Sequence, residues 1–207
     1  MTRDPTPPSI GTMPFDSLLG ALAKRSPAPG GGAAAGIVGA SAAALTGMVV
    51  SYSIGRKSLA EYQPFLIDAG NRLERARSMF VMLADEDACA YSRLNALMKL
   101  PGDHPDRLAD WEDTVRNAIT PPRTTLAAAN DLLRLCEDLL GKTNPYLNSD
   151  LAVAAIQAEA AARSAAWNVK INVPSLPENQ RHAMLAETDL MIEDAKARAA
   201  RVETGCA

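Results

Sequence analysis

Apolar residues recur with helical spacing from Phe15 to Val202, and no run alternates at the two-residue period of a strand for longer than three or four positions. Thr12 is placed to cap a short amphipathic helix with Pro14 in its first turn and Phe15, Leu18, Leu19 and Leu22 on one face. Ser26 to Gly55 then runs for thirty positions without a charge. Pro27 and Pro29 hold the chain extended, Gly30, Gly31 and Gly32 free the backbone, and the Ala-rich run that follows is predicted to be helix as far as Gly55-Arg56-Lys57. Gly32, Gly36, Gly39, Ala43 and Gly47 recur every three or four residues, so one side of that helix is nearly bare backbone.

From Pro64 to Leu100 the apolar pattern keeps a seven-residue repeat, which predicts one long helix. Leu66, Leu73, Phe80, Asp87 and Leu94 form one row, and Ala69, Ala76, Leu83, Ala90 and Leu97 form its companion. After a turn at Pro101 to Pro105, a helix from Asp106 to Ile119 presents Leu108, Trp111, Val115 and Ile119, and Pro121-Pro122 is expected to break it. Thr124 to Leu140 is the next helix, stopped by Gly141. Asp150 to Asn172 carries an alanine stripe, Ala154, Ala158, Ala161 and Ala165, that continues into Asn168 and Asn172, with Ser149 as the expected cap. Pro177 to Val202 is the last helix, with Met184, Leu185, Thr188, Met191 and Ile192 facing in. The expected fold is all-α, a single-domain bundle of six to seven helices with a long central antiparallel core. Residues 1–11, rich in Pro, Thr and Ser, are expected to be a flexible tail, and residues 12–207 the domain.

Composition narrows the function classes. A formal charge of −3 and a pI near 5.4 carry no electrostatic footprint for nucleic acid. The uncharged stretch is long enough to span a bilayer, but its side chains are mostly Ala, Gly and Ser, so the expectation is a buried central helix and no membrane partner. Cys89, Cys136 and Cys206 are an odd number without CxxC spacing, which points to reduced thiols and a cytoplasmic protein. His104 and His182 lack partners at metal-ligand spacing, so neither a zinc site nor a histidine-based triad is expected.

Asp87 is the one charged residue in either apolar row of its helix, where a leucine would be expected. A carboxylate facing a core is costly unless it is paired or working. Its structural alternative is a buried salt bridge or cap. Asp85 and Glu86 fall off both rows and read as a solvated face. Asn168 and Asn172 are carboxamides on a face otherwise fit for close packing, so they need hydrogen-bond partners from the protein or a ligand. Asp150 shares their azimuth but lies about 27 Å from Asn168 along the helix.

Taken together, Ser26-Pro27-Ala28-Pro29-Gly30-Gly31-Gly32, the helix ending in Gly55-Arg56-Lys57, Asp85-Glu86-Asp87-Ala88 before Tyr91, Ser149-Asp150-Leu151 and Asn168-Val169-Lys170-Ile171-Asn172 resemble the formiminotetrahydrofolate cyclodeaminase/methenyltetrahydrofolate cyclohydrolase family. The resemblance covers residues 14 to 200. It implies an all-helical domain that associates as a homodimer or higher oligomer, a folate substrate, and no cofactor or metal. These residues carry no resemblance to a formiminotransferase domain, so the expectation is a chain most similar to the stand-alone bacterial cyclohydrolases. Ala33 departs from the family pattern, where a serine is expected after the glycines.

The implied reaction is addition of water to the amidinium carbon of 5,10-methenyltetrahydrofolate, giving 10-formyltetrahydrofolate. In that reading Asp87 is the catalytic carboxylate. Lys57 is a candidate proton donor or a clamp for the glutamate tail, its alternative being a lysine at a helix C-terminus. Pro29, Gly30, Gly31, Gly32 and Arg56 are candidates for substrate binding, and Asp150, Asn168 and Asn172 for reading the pterin edge or the tail. The separation of Asp150 from Asn168 implies opposite ends of an extended ligand or a site shared across a dimer. Alternatives are the cyclodeaminase, which releases ammonia from 5-formiminotetrahydrofolate, and a non-catalytic helical scaffold.

Overall fold

The computed structural model describes residues 9–207. The expected tail lies mostly outside them, but its end does not: Ile10–Thr12 form a 3-10 turn. Six α-helices follow, α1 (Phe15–Leu22), α2 (Gly31–Ser51), α3 (Gln63–Met98), α4 (Pro105–Leu139), α5 (Asn148–Asn172) and α6 (Glu178–Cys206), and no strand occurs among the described residues. They form one helical bundle with α2 in its middle, packed against α3, α5 and α4.

The bare side of α2 explains that position. A Cβ on Gly36 would come within 2.8 Å of the Phe80 carbonyl oxygen, and one on Gly39 within 2.6 Å of the Phe80 ring. Glycine here lets α2 and α3 touch backbone to side chain, with Leu66, Leu73 and Phe80 from the expected row buried beside it. On its other flank α2 meets the alanines of α5, of which Ala154, Ala158, Ala161 and Ala165 are fully buried. Both contacts are antiparallel: Gly32 lies by Asp87 and Gly47 by Leu73, while Gly31 lies by Asn168 and the Ser41 hydroxyl donates to Gln157 at 3.1 Å. By length and composition α2 is apolar enough to cross a membrane, with mean hydropathy 1.8. In this fold it is the central helix.

The structure corrects several expectations. Pro121 and Pro122 do not end a helix; both lie inside the continuous α4. A proline removes one donor and frees the carbonyl four residues back. The carbonyl freed by Pro122 is that of Ala118, and Asn172 supplies the missing donor through its Nδ2, 3.4 Å away. Phe15 and Leu19 are 70 % and 48 % exposed, so α1 packs through Leu18 and Leu22. Thr12 bonds the Ser9 carbonyl and Pro14 takes the cap position. No side chain caps α5, so Ser149 is not its cap. The central helix ends at Ser51, four residues before Gly55, because Ser53 turns inward: it is buried, donates to the Val49 carbonyl and accepts from the Asn144 N–H. His104, expected in a loop, caps α4 by accepting from the Asp106 N–H at 3.2 Å.

Candidate active site

At the start of α2 the loop through Pro27 and Ala28 meets the middle of α3 and the end of α5, leaving a cleft of about 330 Å³. That volume sits at the lower end of small-molecule sites. Gly30, Gly31 and Gly32 form one wall and Asp87, Ala88 and Tyr91 another. Ala118 of α4 joins Asn168, Ile171 and Asn172 of α5 in closing it. A larger cleft of about 430 Å³ lies between α4 and α6, but its charged residues are spoken for: Arg123 pairs with Glu187 and Arg116 with Glu112.

Asp87 is half-buried, with its carboxylate against the first turn of α2. A Cβ on Gly32 would overlap that carboxylate, so this glycine is what admits it. Burial raises the Asp87 pKa to about 6, and the hydrogen bond from the Ala33 backbone N–H opposes the rise. Burial disfavours the charge, whereas the donor-rich positive end of a helix favours it. Between them they leave a carboxyl group poised near neutrality, where proton transfer is most effective.

The carboxamides are partly committed to the protein. Asn168 donates to the Ser164 carbonyl at 2.8 Å, and its Oδ1 would be 3.3 Å from a Cβ on Gly31. Asn172 donates to the Asn168 carbonyl at 3.0 Å and to Ala118, so it ties the end of α5 to the proline break of α4. Among the described residues no three His, Cys, Asp or Glu side chains gather into a group that could hold a metal ion.

The candidate residues thus fall into two groups. Gly30, Gly31, Gly32, Asp87, Asn168 and Asn172 come together in the cleft; Pro29 is beside it, with its neighbours Ala28 and Gly30 in the lining. Arg56, Lys57 and Asp150 do not join them. Arg56 and Lys57 lie beyond the opposite end of α2, about 30 Å away at the helical rise, and Asp150 sits in the first turn of α5 near that same end. The reading from sequence passed over Tyr91, Met98, Ala118 and Ile171 as lining residues. The i,i+4 spacing of Asp87 and Tyr91 was the available signal for the first. Asp85, expected on a solvated face, instead accepts hydrogen bonds from Ser9 and Ile10.

With this geometry in view, the chain belongs to the family described as Formiminotransferase-cyclodeaminase, whose sequence profile matches residues 14–189. It is 30% identical over 172 residues to a methenyltetrahydrofolate cyclohydrolase of Methylorubrum extorquens, covering 81% of this chain and 83% of that protein. It is also 30% identical over 199 residues to a formimidoyltransferase-cyclodeaminase of Gallus gallus, covering 92% of this chain but 36% of that longer protein. A crystal structure of formiminotetrahydrofolate cyclodeaminase from Thermotoga maritima superposes with a TM-score of 0.87 at 25% identity, over 95% of this chain and 96% of the other. The family is one of folate-processing enzymes of one-carbon metabolism.

Proposed function

We propose that this protein hydrolyses 5,10-methenyltetrahydrofolate to 10-formyltetrahydrofolate in the cleft at the start of α2. One observation carries the reading: a carboxylate with pKa about 6 stands in a cleft with no other charged lining residue among the described residues, against the Ala33 backbone N–H rather than a cationic side chain. An unpaired carboxylate suits a substrate that brings its own positive charge.

In this reading the ionised Asp87 attracts the amidinium and takes a proton from water as the new C–O bond forms at the electrophilic carbon. The neutral adduct then expels N5. Asp87 returns its proton to N5 as the C–N bond breaks, and the hydroxyl proton leaves as the formyl C=O forms. One proton is released overall, which balances the charge of the cation consumed. Gly30 and Gly31 offer the backbone surface on which a flat ring can lie, and Asn168 the polar group at its edge.

The Methylorubrum relative supports the cyclohydrolase, and the likeness to the Thermotoga structure supports a second reading, release of ammonia from 5-formiminotetrahydrofolate. The two are separated by adding the protein to each compound and following methenyltetrahydrofolate absorbance. Its loss from the methenyl compound is expected; its appearance from the formimino compound establishes the cyclodeaminase, and no change in either assay overturns both. Self-association is part of the proposal. It is supported by the uncharged outer side of α2 and the exposed Val153, Ile156, Trp167 and Ile171 of α5. Arg56, Lys57 and Asp150 would reach a cleft only from a second subunit.

A further inference from the structure

The segment Ser9–Leu22 lies over the contact of α2 with α3 as a strap, and its attachments gather around Asp87. The Asp85 carboxylate accepts from the Ser9 hydroxyl at 2.6 Å through Oδ2 and from the Ile10 N–H at 2.7 Å through Oδ1. Gly11 lies so close to α3 that a Cβ there would be 2.6 Å from Val81 Cγ1. Ile10 and Leu18 are 8 % and 6 % exposed and form a small separate core with Ala33 and Ala84, flanked by Met13, Leu22 and Ala88. These α2 and α3 residues surround Asp87: Ala33 donates to it, Ala84 is one turn before it, and Ala88 follows it. All three are alanines. Side chains that short do not shield a carboxylate by themselves, and apart from Ile37 of α2 the larger apolar side chains packed with them, Ile10, Met13, Leu18 and Leu22, come from the strap.

We propose that Asp85 is a positioning residue for Asp87: by clamping Ser9 and Ile10 it holds the strap's apolar side chains over the flank of Asp87 and keeps bulk water off that carboxylate. The two acids on one helix then have opposite duties. Asp85 spends its charge on two protein donors, whereas Asp87 keeps its own for the cleft. Burial is the leading cause of the high proton affinity of Asp87, and the strap supplies part of that burial. Among the described residues no other charge acts in its place. The first turn of α2 has none, the cleft-lining residues of α4 and α5 are uncharged, and on α3 the neighbours are Glu86, which is exposed, and Tyr91. Asp16, Lys24 and Arg25, in the strap and the loop after it, are exposed.

The clamp by Asp85 and the packing of the strap on Ala33, Ala84 and Ala88 stand on geometry; the consequence for turnover rests on the function proposed above. The test is therefore an NMR titration of the Asp87 carboxyl carbon in the full chain, with the pH profile of kcat/KM recorded alongside. In Asp85→Ala the midpoint is expected to fall by about one unit toward the ordinary aspartate value of about 3.9, a tenfold loss of proton affinity, with helical circular dichroism unchanged. The acid limb of kcat/KM should move down with it while KM stays within twofold. Asp85→Asn, which keeps one acceptor oxygen, should lie between, and Ile10→Ser should repeat the shift with both carboxylates intact. Should Asp85→Ala fail to fold, Ser9→Ala removes one of the two bonds and carries the same test. An unmoved midpoint in the variants that fold overturns the proposal, whether or not the strap loosens. A shifted midpoint in a protein that turns over no folate would sink the proposed reaction and leave the role of the strap standing.

Discussion

The two ends of the antiparallel pair α2 and α5 are built from the same small residues, yet they offer different chemistry. At one end the chain folds back over Gly30–Gly32 and leaves a single carboxylate, half-buried, with its proton affinity raised. At the other, Arg56 and Lys57 adjoin beyond the end of α2 and Asp150 stands in the first turn of α5, and Lys57 is exposed. The difference teaches that charge density alone does not perturb the proton affinity of a group. Burial against a helix N-terminus does, because only there does the environment act differently on the two protonation states of one group.

Several substitutions can break this contrast. Asp87→Asn should lower turnover at least about a hundredfold, the scale of losing a general base, in steady-state assays. The same variant should be more stable than the parent near pH 8. Folded Asp87 holds its proton up to pH about 6, whereas the unfolded chain releases it near 3.9, so its contribution to stability falls as pH rises through that window and levels off above it. Removing the charge should recover roughly 1–3 kcal/mol in urea denaturation at pH 8, and an equal loss at pH 4 and pH 8 would contradict the raised pKa. Gly32→Ala comes next. Its methyl displaces the Asp87 carboxylate, and turnover should fall about tenfold to a hundredfold, whereas Gly31→Ala, which meets only the Asn168 amide at 3.3 Å, should cost less than about fivefold. The pH profile of kcat/KM should fall tenfold per unit on the acid side of about pH 6, as protonation removes the base. Smallest is Lys57→Ala, expected within about threefold of the parent, in keeping with an exposed lysine. A loss well beyond that would break the contrast, and would mean that a second subunit carries the far end of α2 into the cleft.

Much of this was legible before the fold. Leu66, Ala69, Leu73, Phe80, Leu83 and Leu94 of the seven-residue rows of α3 survive in its buried face, since the helical period decides which side chains point inward. Asp87 was legible as the one charge in an apolar row, and Asn168 as an amide in an alanine stripe. The decisive glycine was not. Gly30, Gly31 and Gly32 look alike in sequence, and only the rotation of α2 against α3 makes Gly32 the one that meets the carboxylate. Neither was the survival of α4 through Pro121 and Pro122, because the donor that replaces the lost bond comes from Asn172, fifty residues on in another helix. Asp85 was misjudged for the same reason: its partners sit 75 and 76 residues away in a segment that composition marks as loose.

The glycines of α2 carry a kinetic consequence. Gly31, Gly32, Gly36, Gly39 and Gly47 each disfavour a helix by about 1 kcal/mol relative to alanine, so this stretch has little tendency to coil by itself in an unfolded chain. It becomes helical when α3 and α5 are present to clasp it. The cleft at the start of α2 is therefore expected to form late in folding and to vanish early in unfolding, and under the proposed function loss of turnover should precede loss of bulk helicity as the protein is heated.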